Sequence, residues 1–232
     1  MLPELIDQFY LEQNSHKDRT KFYISDAGKC QRSIFFKFKN VPEKTLDPQL
    51  LRMFEHGDLL HRNIFSVLHR LKIGVTTEVS IPAQEIVSGR ADALLTIDGQ
   101  NYVLDIKSIN GILFSKMTGP KIENVYQLQL YMHFFNIDKG ILLYIDKNFQ
   151  KFKEFIIDYN KDICENLVKN FEELDKKVKS EIVPDVVPNF PSDWQCKYCA
   201  FKQLCKLAGK EELSWLDFKK KVAEAPDNGV LL

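Results

Sequence analysis

Two short runs of alternating apolar and polar residues flank an Asp-Gly pair, and most of the chain can be arranged around them. In the first, Ala91, Ala93, Leu95 and Ile97 alternate with Arg90, Asp92, Leu94 and Thr96. In the second, Tyr102, Leu104 and Ile106 alternate with Val103, Asp105 and Lys107. A period of two predicts strands. Asp98-Gly99 is a strong turn signal, so Ser88 to Ser108 is predicted to form one β-hairpin. A two-residue loop sets Ile97 against Gln100 and Asp92 against Asp105; a four-residue loop sets Asp92 against Lys107. Either register puts Asp92, Asp105 and Lys107 on one face, with β-carbons about 4.5–8 Å apart. A three-residue loop sets Asp92 against Ile106 and mismatches the faces.

The remaining pattern predicts helices before the hairpin and alternating elements after it. Residues 2–13 read as a short amphipathic helix. Ser25 reads as the N-cap of a second helix that carries Cys30 and runs to about Lys39. Beyond a linker from Pro42 to Pro48, Leu50, Met53, Phe54, Leu60, Ile64, Phe65, Leu68 and Leu71 keep helical spacing, predicting a long helix from Gln49 to Leu71. Ile73 to Ile81 reads as a strand containing Glu78, to which no role is assigned. After the hairpin, a loop with Gly111, Gly119 and Pro120 leads to a helix from Ile122 to Asn136. Strands follow at Gly140–Ile145 and Phe152–Ile157, then a helix from Lys161 to Lys179 with one apolar stripe. A proline-rich stretch ends in Cys196, Cys199 and Cys205, and a last helix from Glu212 to Ala223 precedes a tail that reads as disordered.

Composition narrows the class. With 232 residues, 44% of them hydrophobic and 17 of them Phe, the chain can bury a core without disulfides. Formal net charge is zero, so bulk electrostatics point to neither nucleic acid nor membrane, although a local basic path remains open. Arg90, Lys116, Lys121, Lys147 and Lys151 are candidates for such a path. No apolar run approaches the ~20 residues of a membrane span. The acidic N-terminal stretch does not read as a signal peptide. These features predict a cytoplasmic protein, in which five cysteines are metal ligands or inert rather than disulfides.

Three residue groups carry candidate chemistry. Asp92 and Asp105 side by side repel, so either a raised pKa or a hard divalent cation must compensate. Lys107 beside them suits attack of water on a phosphate, by orienting the nucleophile and offsetting developing charge. The plainer reading is ordinary charge on a solvated sheet face. His61 shares a helix face with Gly57, and Gln127 shares one with Tyr131; each also reads as an ordinary amphipathic helix residue. In the cysteine group, C-x2-C grips a metal from a tight turn, a third thiolate follows, and Cys30 is the natural fourth. Zinc and an iron–sulfur cluster both accept four thiolates, and the residues alone favour zinc. Cys164 reads as a core-edge residue.

Taken in order, SDAGKCQRS, GDLLH, GRADALL, LDIKS, QLQLY and C-x2-C-x5-C resemble the PD-(D/E)XK nuclease superfamily in its RecB-like branch. The resemblance is to the small CRISPR-associated exonucleases with an iron–sulfur cluster, and also to the AddB nuclease domain. It implies an α/β, restriction-endonuclease-like fold: a mixed central sheet flanked by helices, with a cysteine-rich lobe packed on N-terminal helices. It also implies one domain over 1–232, with a nuclease core at about 47–180 and the lobe at about 22–40 and 188–209. His61, Asp92, Asp105 and the Ile106 carbonyl match Mg²⁺ or Mn²⁺ ligands, and Lys107 matches the catalytic lysine. Gln127 and Tyr131 match a motif that contacts DNA and supports the site. Cys30, Cys196, Cys199 and Cys205 match ligands of a 4Fe–4S cluster, against the zinc preference. The implied activity is hydrolysis of single-stranded DNA ends, 5′→3′, in CRISPR spacer acquisition or DNA recombination and repair, alongside an integrase or a helicase. The rival readings are a DNA-end-binding subunit with little cleavage of its own, and a zinc-stapled α/β protein whose hairpin acids are only surface charge.

Overall fold

The computed structural model describes residues 1–14, 18–43 and 46–224. The chain forms two compact units, one from Met1–Ser15, Tyr23–Ala27 and Leu46–Leu167, the other from His16–Phe22, Gly28–Thr45 and Val168–Leu232.

The first unit is built on five strands: β1 (Gly74–Ser80), β2 (Arg90–Ile97), β3 (Gln100–Ile109), β4 (Lys139–Asp146) and β5 (Phe152–Asp158), in the spatial order β1-β2-β3-β4-β5. β1, β2 and β3 pair antiparallel, β3 and β4 parallel, and β4 and β5 antiparallel. The parallel pair needs a crossover, supplied by α4 (Gly111–Lys116) and α5 (Ile122–Phe135). The result is the mixed central sheet flanked by helices that the family resemblance implies.

Each sheet face has its own helix. Ala93, Leu95, Leu104, Ile106, Ile141 and Ile145 form a buried cluster against which Ile64, Phe65 and Leu68 of α3 (Pro48–Arg70) pack. On the opposite face α5 lies so close that a β-carbon added to Gly140 would come within 2.7 Å of Leu128. Glycine at 140 lets the helix reach the sheet. The hairpin between β2 and β3 has the tight register: Ile97 pairs with Gln100 and Ala93 with Leu104. Asp98 and Gly99 both have positive φ, 50° and 79°, as a two-residue hairpin turn of this hand requires. The paired register ends at Ala93–Leu104; counted one step further, it would set Asp92 opposite Asp105.

The second unit contains α2 (Gln31–Phe38), α7 (Trp194–Lys197), α8 (Lys202–Ala208), α9 (Trp215–Ala223), and the two-residue strands Ile182–Val183 and Leu213–Ser214, which pair antiparallel. Phe36 stacks obliquely on Phe218, with ring centroids 4.8 Å apart, and meets Phe201 edge-on at 5.3 Å. α6 (Lys161–Lys179) leads the chain from one unit into the other, and α1 (Leu2–Gln13) opens the first.

Three predicted elements differ. Ser25 is no helix cap: it sits inside a 3-10 turn at Ile24–Asp26, where Tyr23 N donates to Asp26 Oδ2 at 3.0 Å. Gly28 then takes φ 72°, so α2 starts only at Gln31 and Cys30 becomes its N-cap. The loop after the hairpin contains α4, capped by the Asn110 side chain, which accepts from Ile112 N at 2.8 Å. The last helix starts at Trp215 because Ser214 caps it, its hydroxyl accepting from Asp217 N at 3.0 Å. The tail from 225 onward and His16 lie outside the described residues. Among the described residues no helix is long and apolar enough to cross a membrane.

Candidate active site

The hairpin carries the acids, and the two flanking helices bring the other side chains to them. Asp92 sits near the start of β2 and Asp105 in the middle of β3. The Ile106 amide donates to Asp92 Oδ2 at 2.6 Å, which orients that carboxylate. Its other oxygen lies 3.5 Å from His61 Nδ1, on α3. Burial works against the imidazolium, but the Asp92 carboxylate outweighs it, so the His61 pKa lies above its ordinary value.

Asp105 is only 2% exposed, an unusual place for a carboxylate. Its Oδ1 accepts a hydrogen bond from Lys107 Nζ at 3.0 Å. Its Oδ2 lies 2.9 Å from the same nitrogen as an ion pair, yet has no aligned hydrogen-bond donor. Burial pushes the Asp105 pKa up to about 6; the Lys107 charge opposes this, and the Asp92 charge adds to it. Lys107 answers in kind: burial alone would lower its pKa, but Asp105 raises it further, so the ammonium is held charged.

α5 supplies a directed chain of hydrogen bonds. Lys107 Nζ donates to Gln127 Oε1 at 3.0 Å, Gln127 Nε2 to Tyr131 OH at 3.4 Å, and Tyr131 OH to Arg90 O at 2.8 Å. Gln127 and Tyr131 are one helical turn apart, so both reach the same strand face. Tyr131 is buried, and its hydroxyl is spent on a main-chain carbonyl two residues from Asp92. Its hydroxyl thus links the Gln127 amide to the Arg90 carbonyl.

A cleft of about 480 Å³ opens over His61 and Asp92, with Asp58, Phe65, Glu78 and Arg90 on its walls. Glu78 has φ 53° within β1, and its neighbours' pairing, Thr77 with Ala93 and Val79 with Ala91, sets it level with Asp92. Its carboxylate pairs with Arg90 at 3.2 Å. Arg90 also lines a second cavity of about 370 Å³ that includes Tyr23, Ser25, Ser80, Ser88 and Tyr131. Sequence spacing carried no signal for Glu78, because register across β1 and β2 is a property of the folded sheet.

The donor set suits a hard divalent cation: an imidazole and two carboxylates, one of which has a buried oxygen that accepts no aligned hydrogen bond. Among the described residues, no three His, Cys, Asp or Glu side chains are gathered closely enough to enclose a metal ion as they stand.

The second unit brings the other candidate ligands into one neighbourhood. Cys30 caps α2, Cys196 lies in α7, Cys199 follows it, and Cys205 lies in α8. The Cys30 amide donates to Gln195 Oε1 at 2.8 Å, tying the start of α2 to the residue before Cys196. Burial pushes up the thiol pKa of Cys30, of Cys196 and of Cys205, the last to about 12. Cys199 adds to the rise at all three, and Cys30 adds to it at Cys196 and Cys205, so the four thiols are electrostatic neighbours. Cys164 stands apart in the first unit, fully buried, its thiol donating to Gln129 O at 3.3 Å.

The sequence model of the PD-(D/E)XK nuclease superfamily matches residues 31–206. A CRISPR-associated exonuclease Cas4 from Saccharolobus solfataricus (strain ATCC 35092 / DSM 1617 / JCM 11322 / P2) is 27% identical over 219 residues, covering 88% of this chain and 98% of that one. The crystal structure of SSO0001 superposes with a TM-score of 0.58 at 26% identity, covering 88% of this chain and 96% of that one. An alkaline exonuclease (LHK-Exo) from Laribacter hongkongensis shares the fold, with a TM-score of 0.51 at 14% identity over 77% of this chain and 93% of that one. With the family's pattern running from Gln31 to Lys206 and the sheet and helices laid out to match, this protein belongs to the PD-(D/E)XK nuclease superfamily.

Proposed function

We propose that the protein is a divalent-metal-dependent DNA exonuclease that hydrolyses phosphodiester bonds at single-stranded ends, 5′→3′, and that Cys30, Cys196, Cys199 and Cys205 hold a 4Fe–4S cluster. The observation that carries the nuclease reading is the buried Asp105 carboxylate, with one oxygen lacking a hydrogen bond, set beside Lys107 and level with Asp92 and His61. Lys107 lies against both oxygens of Asp105, but Asp92 adds a second negative charge beside it, which a bound divalent cation would offset.

His61, Asp92, Asp105 and the Ile106 carbonyl would hold Mg²⁺ or Mn²⁺. When bound, such an ion polarises the scissile phosphate and lowers the pKa of a coordinated water. The protein's own residues do the rest. Asp92, oriented by the Ile106 amide, sets the ligand geometry. Lys107, aimed by Gln127 and Tyr131 and held as an ammonium, orients the attacking water and offsets charge on the phosphate. Arg90, on the walls of both cavities, is suited to a backbone phosphate of the strand.

The donor chemistry of Cys30, Cys196, Cys199 and Cys205 fits an iron–sulfur cluster: four thiols, buried or half-buried, drawn from both ends of one unit. A setting in CRISPR spacer acquisition accords with the relative named as CRISPR-associated; an integrase or a helicase would then be the partner.

The test is cleavage of end-labelled single- and double-stranded DNA by anaerobically purified protein with Mg²⁺, Mn²⁺ or EDTA. Nucleotides released stepwise from single strands, only with metal, are expected. Retained DNA affinity with no metal-stimulated product would replace the enzyme with an end-binding subunit. A colourless protein carrying zinc would remove the iron–sulfur assignment.

A further inference from the structure

Arg32 is the largest fully buried side chain among the described residues, at 0% exposure. It stands in the first turn of α2, two residues after Cys30. Its guanidinium donates to four main-chain carbonyls: Nε to Pro184 O, Nη1 to Gly209 O at 2.6 Å, and Nη2 to Lys210 O at 3.1 Å and Glu211 O at 2.7 Å. Two features of this arrangement need a reason.

The first is position. Pro184 and Gly209 bracket the stretch that carries Cys196, Cys199 and Cys205. One side chain therefore fastens both ends of that stretch to the helix capped by Cys30. The Val186 amide, donating to Lys210 O at 3.0 Å, closes the same two ends. The second is charge. All four acceptors are neutral carbonyls, and a buried cation is costly without a compensating negative group. The Cys205 thiol lies close enough to feel the guanidinium charge. Four thiolates around a metal centre leave a net negative charge there, whether the centre is one zinc ion or a cluster with two positive charges. That would place negative charge beside a guanidinium whose four main-chain acceptors are all neutral.

We propose that Arg32 is the positioning residue of the four-cysteine centre, clasping the cysteine-bearing stretch against α2 and balancing the negative charge of the loaded site. This rests on the reading that the four cysteines hold a metal centre. A free guanidinium fork fits several carbonyls at fixed angles, which an ammonium cannot copy.

The experiment uses full-length, anaerobically purified wild type, Arg32→Lys and Arg32→Met. Three quantities are read: iron and zinc content, the rate at which a chelator strips the metal, and the midpoint potential of an iron centre. Wild-type metal content tests the four-cysteine reading by itself; a metal-free wild type, with melting unchanged by Cys199→Ala, would sink that reading and this proposal with it. Given a loaded wild type, Arg32→Met is expected to lose metal at least tenfold faster. The potential should fall in Arg32→Met and recover towards wild type in Arg32→Lys, a recovery that packing alone would not produce. For zinc, the stripping rate should follow the same order. Should Arg32→Met fail to fold, Arg32→Lys carries the test, with stripping faster than wild type and potential nearly unchanged. Wild-type stripping rates in both folded variants would overturn the proposal; so would an iron centre in Arg32→Lys with a potential shifted as far as in Arg32→Met.

Discussion

Asp105 offers a sharp test, because its carboxylate is buried before any cation arrives. Its pKa rises from 3.8 to about 6, with burial as the main cause and Lys107 opposing. The folded state therefore holds this proton more tightly than the unfolded chain. Stability from the group is fully present below about pH 4 and is lost as pH rises through about 6. The whole rise corresponds to about 3 kcal/mol, of which about 1 kcal/mol is lost between pH 5 and 8. His61 has the same sign, since its pKa is also raised, so a wild-type profile alone would mix the two. Asp105→Asn separates them. In EDTA, native-state hydrogen exchange of the β2 and β3 amides gives the opening free energy of this part of the sheet. Between pH 5 and 8 that energy should fall by about 1 kcal/mol more in wild type than in Asp105→Asn. Millimolar Mg²⁺ should restore most of the loss at pH 8 and far less at pH 5, where the ion competes with a proton. Equal pH slopes in the two proteins would mean that Asp105 titrates as an ordinary surface acid, and the argument for a poised cation ligand would fail.

Three further outcomes can be checked. Lys107→Ala and Asp92→Ala should each cut DNA cleavage at least about a hundredfold while leaving circular dichroism unchanged; an active Asp92→Ala enzyme in chelated, Mg²⁺-supplemented buffer would count against the site. Tyr131→Phe removes the donor to Arg90 O at 2.8 Å. It should cost about 1 kcal/mol of stability and lower kcat about tenfold, KM for DNA staying near wild type, since Lys107 would lose its aim rather than the strand its seat. Cys199→Ala should lose colour, iron and thermal stability together; normal melting in a colourless variant would remove the structural role of the cluster.

Much of the molecule follows from local pattern. Alternation in 90–97 and 102–107, with Asp98-Gly99 between them, determined the hairpin and narrowed the register to a few choices. The helical stripes of 49–71 and 161–179 likewise match α3 and α6 nearly to the residue. Local pattern suffices there because side-chain direction is set by the backbone period. The start of α2 escaped it. Ser25 has the composition of a cap, but the conformation of Gly28 decided where the helix could begin.

What only the tertiary structure decided are contacts between residues far apart in the chain. The Ile106 amide on Asp92, the line from Lys107 through Gln127 and Tyr131 to the Arg90 carbonyl, and the spare oxygen of Asp105 depend on how strands and helices meet. Arg32 is buried only by folding, beneath the carbonyls of residues 184 and 209–211. The physical reason is the same throughout. Period and propensity act over a few neighbouring residues, whereas burial, and with it the strength of every charge at these sites, is settled by packing of the whole chain.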